Sequence, residues 1–128
     1  MENCPCGRKR PYSECCKIIH NDITKAITAE DLMRSRYSAF TLGKGNYLFQ
    51  SHDSKTRVKS DKKAIENWAK SVQWMSLEVM NTTKGTSSDE EGTVEFKAFF
   101  IEAGKLDAIH ENSRFRKENG HWVYVDAL

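Results

Sequence analysis

The 128-residue sequence lacks long apolar runs and has little excess charge of either sign. A helix needs about 18 or more consecutive apolar residues to cross a bilayer, and no segment approaches that length. The first residues also lack the apolar stretch of a secretory signal peptide, so we expect a cytoplasmic protein without a membrane role. The net charge of +2 is too small to indicate nucleic-acid binding, which depends on a concentrated basic face.

Several common catalytic motifs are also absent. The sequence contains no glycine-rich phosphate loop ahead of a helix, no HExxH motif and no serine in a GxSxG setting. Nucleotide hydrolysis, zinc-dependent proteolysis and ordinary esterase chemistry therefore have no support.

Cysteine is missing from the chain after Cys16, because all four cysteines lie in the segment CPCGRKRPYSECC. Pro5 favours an extended backbone at Cys4, and residues two apart in an extended segment face the same way. Gly7 allows a turn that returns the chain to Cys15 and Cys16. Cytoplasmic thiols stay reduced, so this cluster predicts one structural Zn²⁺ held by four sulfurs, with no open position for catalysis.

The adjacent cysteines leave the fourth ligand open. Neighbouring side chains diverge, so His20, one helical turn beyond Cys16, is the alternative to one of the two sulfurs. Free thiols or a disulfide are the other interpretation of the cluster. A tetrathiolate zinc site carries a charge of about −2, which nearby cations would offset: Arg8, Lys9, Arg10 and Lys17.

The spacing Cys4-Pro5-Cys6-Gly7 followed by Cys15-Cys16 resembles the SEC-C zinc motif, which also ends the bacterial preprotein translocase motor. In that motif the first three cysteines and a final Cys or His bind zinc. The resemblance therefore implies the ligand set Cys4, Cys6, Cys15 and Cys16.

A helix is predicted between Thr28 and Gly43. Thr28 and Asp31 form a capping-box pattern, and glycine is a typical residue after a helix end. An apolar stripe follows the helical period, with Arg36 in its middle; it comprises Leu32, Met33, Tyr37 and Phe40. Arg34 falls on the other side, where we expect solvent. Two further helices are predicted over 46–50 and 61–72.

The remaining sequence predicts strands, and hence an α+β fold. A strand over 72–82 precedes a three-stranded antiparallel meander with two-residue turns at Gly104-Lys105 and Asn119-Gly120. These turns place eight apolar residues on the face that meets the helices: Val94, Phe96, Ala98, Phe100, Ile109, Phe115, Trp122 and Tyr124.

The same predicted face carries Glu111, Ser113 and Asp126, with Glu111 opposite Ala98 and Ser113 opposite Asp126. A buried carboxylate costs several kcal/mol unless it is paired, so Arg36 is the expected partner of Glu111. These groups form either a structural network or the wall of a ligand pocket. The candidate pocket residues are Arg36, Tyr37, Glu111, Ser113, Phe115, Trp122, Tyr124 and Asp126.

Four sequence segments together resemble the YchJ family of uncharacterised bacterial proteins: CPCG near the start, LMRSRYSAF at 32–40, ENSRF at 111–115 and ENGHWVYVD at 118–126. The resemblance implies an NTF2-like (cystatin-like) cone of helices on a curved antiparallel sheet over residues 28–128, preceded by a zinc knuckle over residues 1–22. Many members carry a second SEC-C motif at the C-terminus. Only one occurs here, so we expect one zinc ion.

The leading functional hypothesis is a binding or adaptor protein, acting as a monomer or homodimer. Arg8, Lys9, Arg10 and Lys17 on the knuckle would meet an acidic protein partner, and the cone would hold a small ligand. Contact with nucleic acid or the ribosome through the same cations is a weaker hypothesis, since they allow about four phosphate contacts.

The alternative is an isomerase- or hydrolase-type enzyme, because NTF2-like folds host both. Glu111 or Asp126 would be the general base, and Tyr37 or Tyr124 would orient the substrate. An ion pair with Arg36 would make Glu111 a poorer base near neutral pH, which favours binding over catalysis.

Overall fold

In the computed structural model of the chain, residues 3–57 and 61–128 are described. The helices come first: α1 (Cys16–Asn21), α2 (Ala29–Leu42), α3 (Gly45–Gln50) and α4 (Asp61–Ser71). The strands follow: β1 (Gln73–Lys84), β2 (Glu91–Glu102), β3 (Lys105–Glu118) and β4 (His121–Ala127). No helix within the described ranges is long and apolar enough to cross a membrane.

The long helix α2 begins and ends where the sequence predicts. The Thr28 hydroxyl accepts a hydrogen bond from the Asp31 backbone N–H at 3.0 Å, and the Asp31 carboxylate accepts one from the Thr28 N–H at 3.3 Å. Gly43 follows in the left-handed conformation, with φ 68°. The predicted capping box and glycine stop are therefore confirmed, and α3 and α4 lie within one residue of the predicted ranges.

The four strands form one antiparallel sheet in the order β1-β2-β3-β4, which confirms the predicted meander. The turn between β3 and β4 lies at Asn119-Gly120, as predicted. The turn between β2 and β3, however, lies at Ala103-Gly104 rather than Gly104-Lys105, because Ala103 adopts φ 52°. The register therefore slips by two residues, and Glu111 lies opposite Phe96 instead of Ala98. An even slip leaves every side chain on its predicted face.

A β-bulge in the last hairpin overturns the prediction for Asp126. The register shifts between Arg114 and Phe115, so Asp126 pairs with Arg114 and not with Ser113. One extra residue sends the following side chains to the opposite face of the sheet. Asp126 consequently binds the Arg114 guanidinium through two hydrogen bonds of 2.7 and 2.6 Å on the outer face.

The core lies between α2 and the inner face of the sheet. Leu32, Val94, Phe115 and Trp122 are almost completely buried there. The Trp122 indole N–H also donates to the Ile27 carbonyl at 3.1 Å, which ties β4 to the segment preceding α2. Helices packed on one antiparallel sheet are the predicted α+β architecture, which is confirmed.

Candidate metal centre and cavity

The four cysteines meet at one buried point beside α2. Their sulfur atoms all lie within 4.8 Å of one another. The chain reverses between the two pairs: the Cys4 N–H donates to the Arg10 carbonyl at 2.7 Å, and Gly7 adopts φ 95° in the turn. A left-handed residue is sterically cheap only for glycine, so Gly7 explains how the short loop closes.

The cysteine cluster fits a tetrahedral metal ion. Two thiolates bound to one Zn²⁺ lie about 3.8 Å apart, since each Zn–S bond is about 2.3 Å long. Cys6 Sγ and Cys15 Sγ are 3.6 Å apart, and the four cysteines form no disulfide. Four converging thiols with this spacing can hold a metal ion of the kind that soft sulfur ligands bind, such as zinc, copper(I) or iron.

The surroundings of the sulfurs favour ionisation of one thiol, Cys6, whereas burial raises the pKa of Cys15 and the hydrogen bond to Cys6 raises the pKa of Cys16. Hydrogen bonds from the Cys16 thiol and from the Arg8 backbone N–H outweigh the effect of burial and lower the pKa of Cys6 to about 5. The Arg10 side chain hydrogen-bonds to Cys15, and the Ser38 hydroxyl lies 3.5 Å from Cys4 Sγ. Hydrogen bonds of this kind typically orient metal ligands and tune their charge.

His20, the alternative fourth metal ligand, makes other contacts instead. Its Nε2 donates to the Ser35 carbonyl at 2.7 Å, so Nδ1 accepts from the Tyr12 hydroxyl at 2.7 Å. Burial lowers the pKa of His20, which favours this neutral form. Both ring nitrogens are therefore occupied away from the sulfurs, and His20 joins the N-terminal segment to α2.

One polar face of α2 carries the contacts to the N-terminal segment. Asp31 binds the Arg8 guanidinium at 2.6 Å, and Arg34 donates to the Cys6 carbonyl at 2.7 Å. The other two contacts are those of Ser35 and Ser38 described above. These four positions follow the spacing i, i+3, i+4, i+7 of one helical face. The prediction that Arg34 lies in solvent is wrong, and this spacing was the signal that could have revealed its role.

The four basic residues predicted to bind a partner do not form one free surface. Arg8 is held by Asp31, and Arg10 is hydrogen-bonded to Cys15. Arg8 is therefore held against α2, whereas Lys9, Arg10 and Lys17 are exposed, with Arg10 also contacting the cysteine cluster.

A cavity of about 150 Å³ lies on the opposite side of α2, between that helix, α4 and the inner face of the sheet. Four of the predicted pocket residues line it: Arg36, Tyr37, Glu111 and Tyr124. Ser113, Phe115 and Trp122 are instead fully buried in the core, and Asp126 lies on the other face of the sheet. The residues that sequence reasoning missed are Phe40, Trp68 and Trp74, which supply aromatic walls.

Arg36 does not make the predicted ion pair with Glu111. Its Nη1 donates to the Leu48 carbonyl at 2.9 Å and to the Ser51 hydroxyl at 2.6 Å, and its guanidinium lies 4.7 Å from the centre of the Tyr124 ring. Among the described residues no carboxylate oxygen lies within 4.0 Å of it. Burial lowers the pKa of Arg36 to about 10, which still leaves it charged at neutral pH.

Glu111 is the single carboxylate among the described residues that line this cavity. It accepts a hydrogen bond from the Ser113 hydroxyl at 3.2 Å. Burial raises the pKa of Tyr37 to about 12 and also raises the pKa of Tyr124, so both phenols stay protonated. The cavity therefore combines aromatic walls with one cation, one carboxylate and two neutral hydroxyl groups.

Comparison with known families identifies the fold and its relatives. The family model described as "YchJ, middle NTF2-like domain" matches residues 28–127. The chain belongs to the YchJ family. Curated YchJ-type relatives include a UPF0225 protein of Vibrio parahaemolyticus, 42% identical over 97% of this chain and 73% of the relative. A UPF0225 protein of Geobacter sulfurreducens is 38% identical over 96% of this chain and 76% of its own length.

Two solved structures share the YchJ-type architecture. A SEC-C motif containing protein from Rhodopseudomonas palustris superposes with a TM-score of 0.88 and is 31% identical, covering 99% of this chain and 98% of its own. A SEC-C motif containing protein from Psychrobacter arcticus gives a TM-score of 0.78 at 34% identity, covering 98% and 81%. The predicted family, NTF2-like fold and SEC-C motif are thus confirmed.

Proposed function

We propose that this YchJ-family protein binds a small molecule in the cavity behind α2, and that its cysteine cluster holds one structural Zn²⁺. The observation that carries the first part is the charged Arg36 guanidinium, which lines an aromatic cavity without a carboxylate partner within 4.0 Å among the described residues. The contacts of Arg36 with Leu48, Ser51 and Tyr124 are to neutral groups and do not offset its charge, so a ligand that brings an anionic group would be stabilised there.

The cavity sets the size of the ligand. An apolar space of about 150 Å³ accommodates one benzene-sized ring, whereas drug-sized ligands need several hundred Å³. Trp68 and Trp74 meet edge to face, with ring centres 5.5 Å apart, and Phe40 lies 5.7 Å from Trp74. Offset and edge-to-face contacts with such rings favour a flat ligand.

The polar groups set the chemistry of the ligand. Arg36 would attract a carboxylate, and Glu111 would accept a hydrogen bond from a hydroxyl or amino group. We therefore expect a single-ring acid with a hydrogen-bond donor. A simple hydrocarbon would make no hydrogen bond to either group, so it should bind more weakly.

The metal has a separate and structural role in this proposal. Four thiolates complete a tetrahedral zinc site and leave no position for water or substrate. In the reducing cytoplasm the cysteines would remain available as ligands. Zinc would fix the N-terminal segment against the polar face of α2, and so support the helix whose other face lines the cavity.

The cavity is tested by titrating 4-hydroxybenzoate and following the indole N–H signals of the three tryptophans by NMR. Trp68 and Trp74 line the cavity, whereas the Trp122 indole is hydrogen-bonded to the Ile27 carbonyl elsewhere in the core. We expect saturable shifts at Trp68 and Trp74 and little change at Trp122. Benzyl alcohol, which lacks the carboxylate, should bind more weakly.

A filled cavity provides the matched control. Ala98 lines the cavity on β2, and Ala108 is exposed on the outer face of β3. Ala98→Leu should abolish the shifts and Ala108→Leu should preserve them. Equal titration curves for the two variants, or shifts that rise without saturation, would show that the cavity is not a binding site.

A further inference from the structure

A second, basic pocket lies beside the N-terminal half of α4 and shares Arg36 with the aromatic cavity. Its volume is about 60 Å³, roughly twice the space of one water molecule in the liquid, which suits a single anionic group. Three permanent cations line it, Arg36, Arg57 and Lys62, together with His52. The described residues that line it include no carboxylate.

The two guanidinium groups are fixed by neutral partners. Arg36 donates to the Leu48 carbonyl at 2.9 Å, and Arg57 donates to the Phe49 carbonyl at 3.3 Å while lying 4.5 Å from the centre of the Phe49 ring. Carbonyls at the end of a helix lack partners within the helix, which explains why α3 attracts both side chains. These contacts orient the guanidinium groups without neutralising their charge.

Asp53, the buried acid that follows His52 in the chain, is engaged elsewhere. Asp53 binds the Arg116 guanidinium and accepts the Lys55 backbone N–H at 2.7 Å. The pKa of His52 is lowered mainly by burial. The positive charges of Arg36 and Arg57 in the same pocket lower it further. The opposing effect of Asp53 is smaller than that of Arg36.

We propose that this pocket, which we call the Arg36–Arg57–Lys62 pocket, binds a phosphate group of a small anionic molecule. Arginine side chains match the geometry of phosphate oxygens, and three permanent cations suit a group that carries about two negative charges better than a carboxylate with one. Arg36 is the one described residue that lines both sites, whereas Arg57 and Lys62 line this pocket alone, so phosphate binding does not require a ring in the aromatic cavity.

The test titrates inorganic phosphate at constant ionic strength, with acetate and chloride as comparison anions. Amide proton–nitrogen NMR spectra should show saturable shifts at His52, Thr56 and Arg57 with phosphate. Lys62→Gln and Arg57→Gln should each weaken phosphate binding by about tenfold, the effect of one lost charge-assisted hydrogen bond. Lys105→Gln removes the same charge from the exposed first residue of β3 and should have no effect.

Three results would overturn the phosphate site: shifts that do not saturate, equal binding of acetate, or Lys62→Gln and Lys105→Gln titrating alike. Lys62 makes no side-chain hydrogen bond or ion pair with the described residues, so we expect Lys62→Gln to fold normally. It therefore tests the site even if Arg57→Gln disturbs the packing on Phe49. Phosphate should also bind unchanged to Ala98→Leu, which blocks the aromatic cavity. This comparison separates a failure of the phosphate site from a failure of the proposed ring-binding cavity.

Discussion

At the scale of single residues, Arg34 joins the cysteine cluster to the cone. Its guanidinium donates to the Cys6 carbonyl at 2.7 Å and to the Glu30 carboxylate at 2.9 Å, and only 16% of its side chain is exposed. Cys6 carries one of the four clustered sulfurs. Loss of this arginine would therefore loosen the loop that positions the sulfurs.

We expect Arg34→Met to lower the free energy of unfolding by about 1.5–3 kcal/mol, because a partly buried, charge-assisted hydrogen bond is lost. Chemical denaturation of the metal-loaded protein measures this effect. The matched control is Arg114→Met, which breaks an ion pair between two side chains that are 52% and 44% exposed. Exposed ion pairs contribute little, so a loss in the control as large as that in Arg34→Met would contradict the assigned role.

His52 gives a pH dependence with a defined sign. Its pKa in the folded protein lies below 6.5 because of burial and the nearby Arg36, whereas the unfolded chain protonates at about 6.5. Protons therefore bind preferentially to the unfolded chain as the pH falls. The stability that neutral His52 contributes is present above pH 6.5 and is lost progressively below it.

Unfolding free energies of the wild type and His52→Gln, measured from about pH 7.5 down to 5.5, test this dependence. The wild type should lose more stability than the variant over this range. Any effect of acid on the cysteine cluster is common to both proteins and cancels in the difference. Parallel pH curves would show that His52 titrates normally.

At the scale of secondary-structure elements, α2 contacts the cysteine cluster with one face and lines the aromatic cavity with the opposite face. Asp31, Arg34, Ser35 and Ser38 face the metal centre, and a second stripe faces the cavity: Met33, Arg36, Tyr37 and Phe40. The two stripes are offset by two residues, or about 200° around the helix, which places them on opposite sides. The apolar stripe was predictable from the sequence, but the polar one was indistinguishable from a solvated face.

The sheet shows where sequence reasoning succeeds and where it fails. The alternation of apolar residues identified the inner face correctly, because a turn misplaced by one residue shifts the register by an even number. It could not place the Ala103-Gly104 turn, which requires Ala103 in the left-handed region, nor the bulge at Arg114. The bulge affected the predicted site more than the turn did, because it places Asp126 on the outer face of the sheet, away from the cavity.

The cavity itself was only partly predictable for a related reason. Arg36 and Glu111 were found as polar residues on apolar faces. Trp68 and Trp74 gave no such signal, because apolar residues on a helix and a strand normally indicate core. Their edge-to-face contact beside a cavity depends on how α4 packs on β1, which no local pattern encodes.

The contact between α2 and the β1–β2 turn gives a prediction at the element scale. Gly85 adopts φ 76° and packs closely against the first residue of α2. A Cβ added to Gly85 would lie 2.8 Å from the Ala29 Cβ. The Gly85 carbonyl also accepts the Ala29 N–H at 2.9 Å, so α2 begins against this turn. Gly85→Ala should therefore cost about 2–4 kcal/mol, through both backbone strain and overpacking.

Gly104→Ala is the matched control for this prediction. Gly104 has almost the same φ, 77°, but nothing lies within 4 Å of an added Cβ. We expect a loss of about 1–2 kcal/mol from the left-handed backbone alone. Thermal or chemical unfolding of both variants measures the difference, and equal losses would mean that the contact with Ala29 is not restrictive.

At the scale of the whole molecule, the cysteine cluster and the cavity share one helix. The N-terminal segment contacts α2 through the Arg8–Asp31, Arg34–Cys6 and His20–Ser35 interactions, all of which depend on the loop around the sulfurs. Removal of zinc should therefore lower the melting temperature and weaken binding of 4-hydroxybenzoate together. A metal-free protein that binds this probe as tightly as before would show that the two sites are independent.

Replacement of a single ligand should have the same consequence as metal removal. Cys15→Ser leaves three thiols, and we expect it to lower the melting temperature because the binding free energy of a structural metal contributes directly to folding. Ser13→Ala changes an exposed side chain in the same loop and should leave the melting temperature unchanged. Equal melting temperatures for Cys15→Ser and the wild type would argue against a structural metal.

Native mass spectrometry of freshly purified, reduced protein tests the metal centre most directly. The cluster of Cys4, Cys6, Cys15 and Cys16 predicts one zinc ion per chain, which is retained at neutral pH and absent from Cys15→Ser or bound to it far more weakly. A mass equal to that of the metal-free chain in the wild type would contradict the zinc centre.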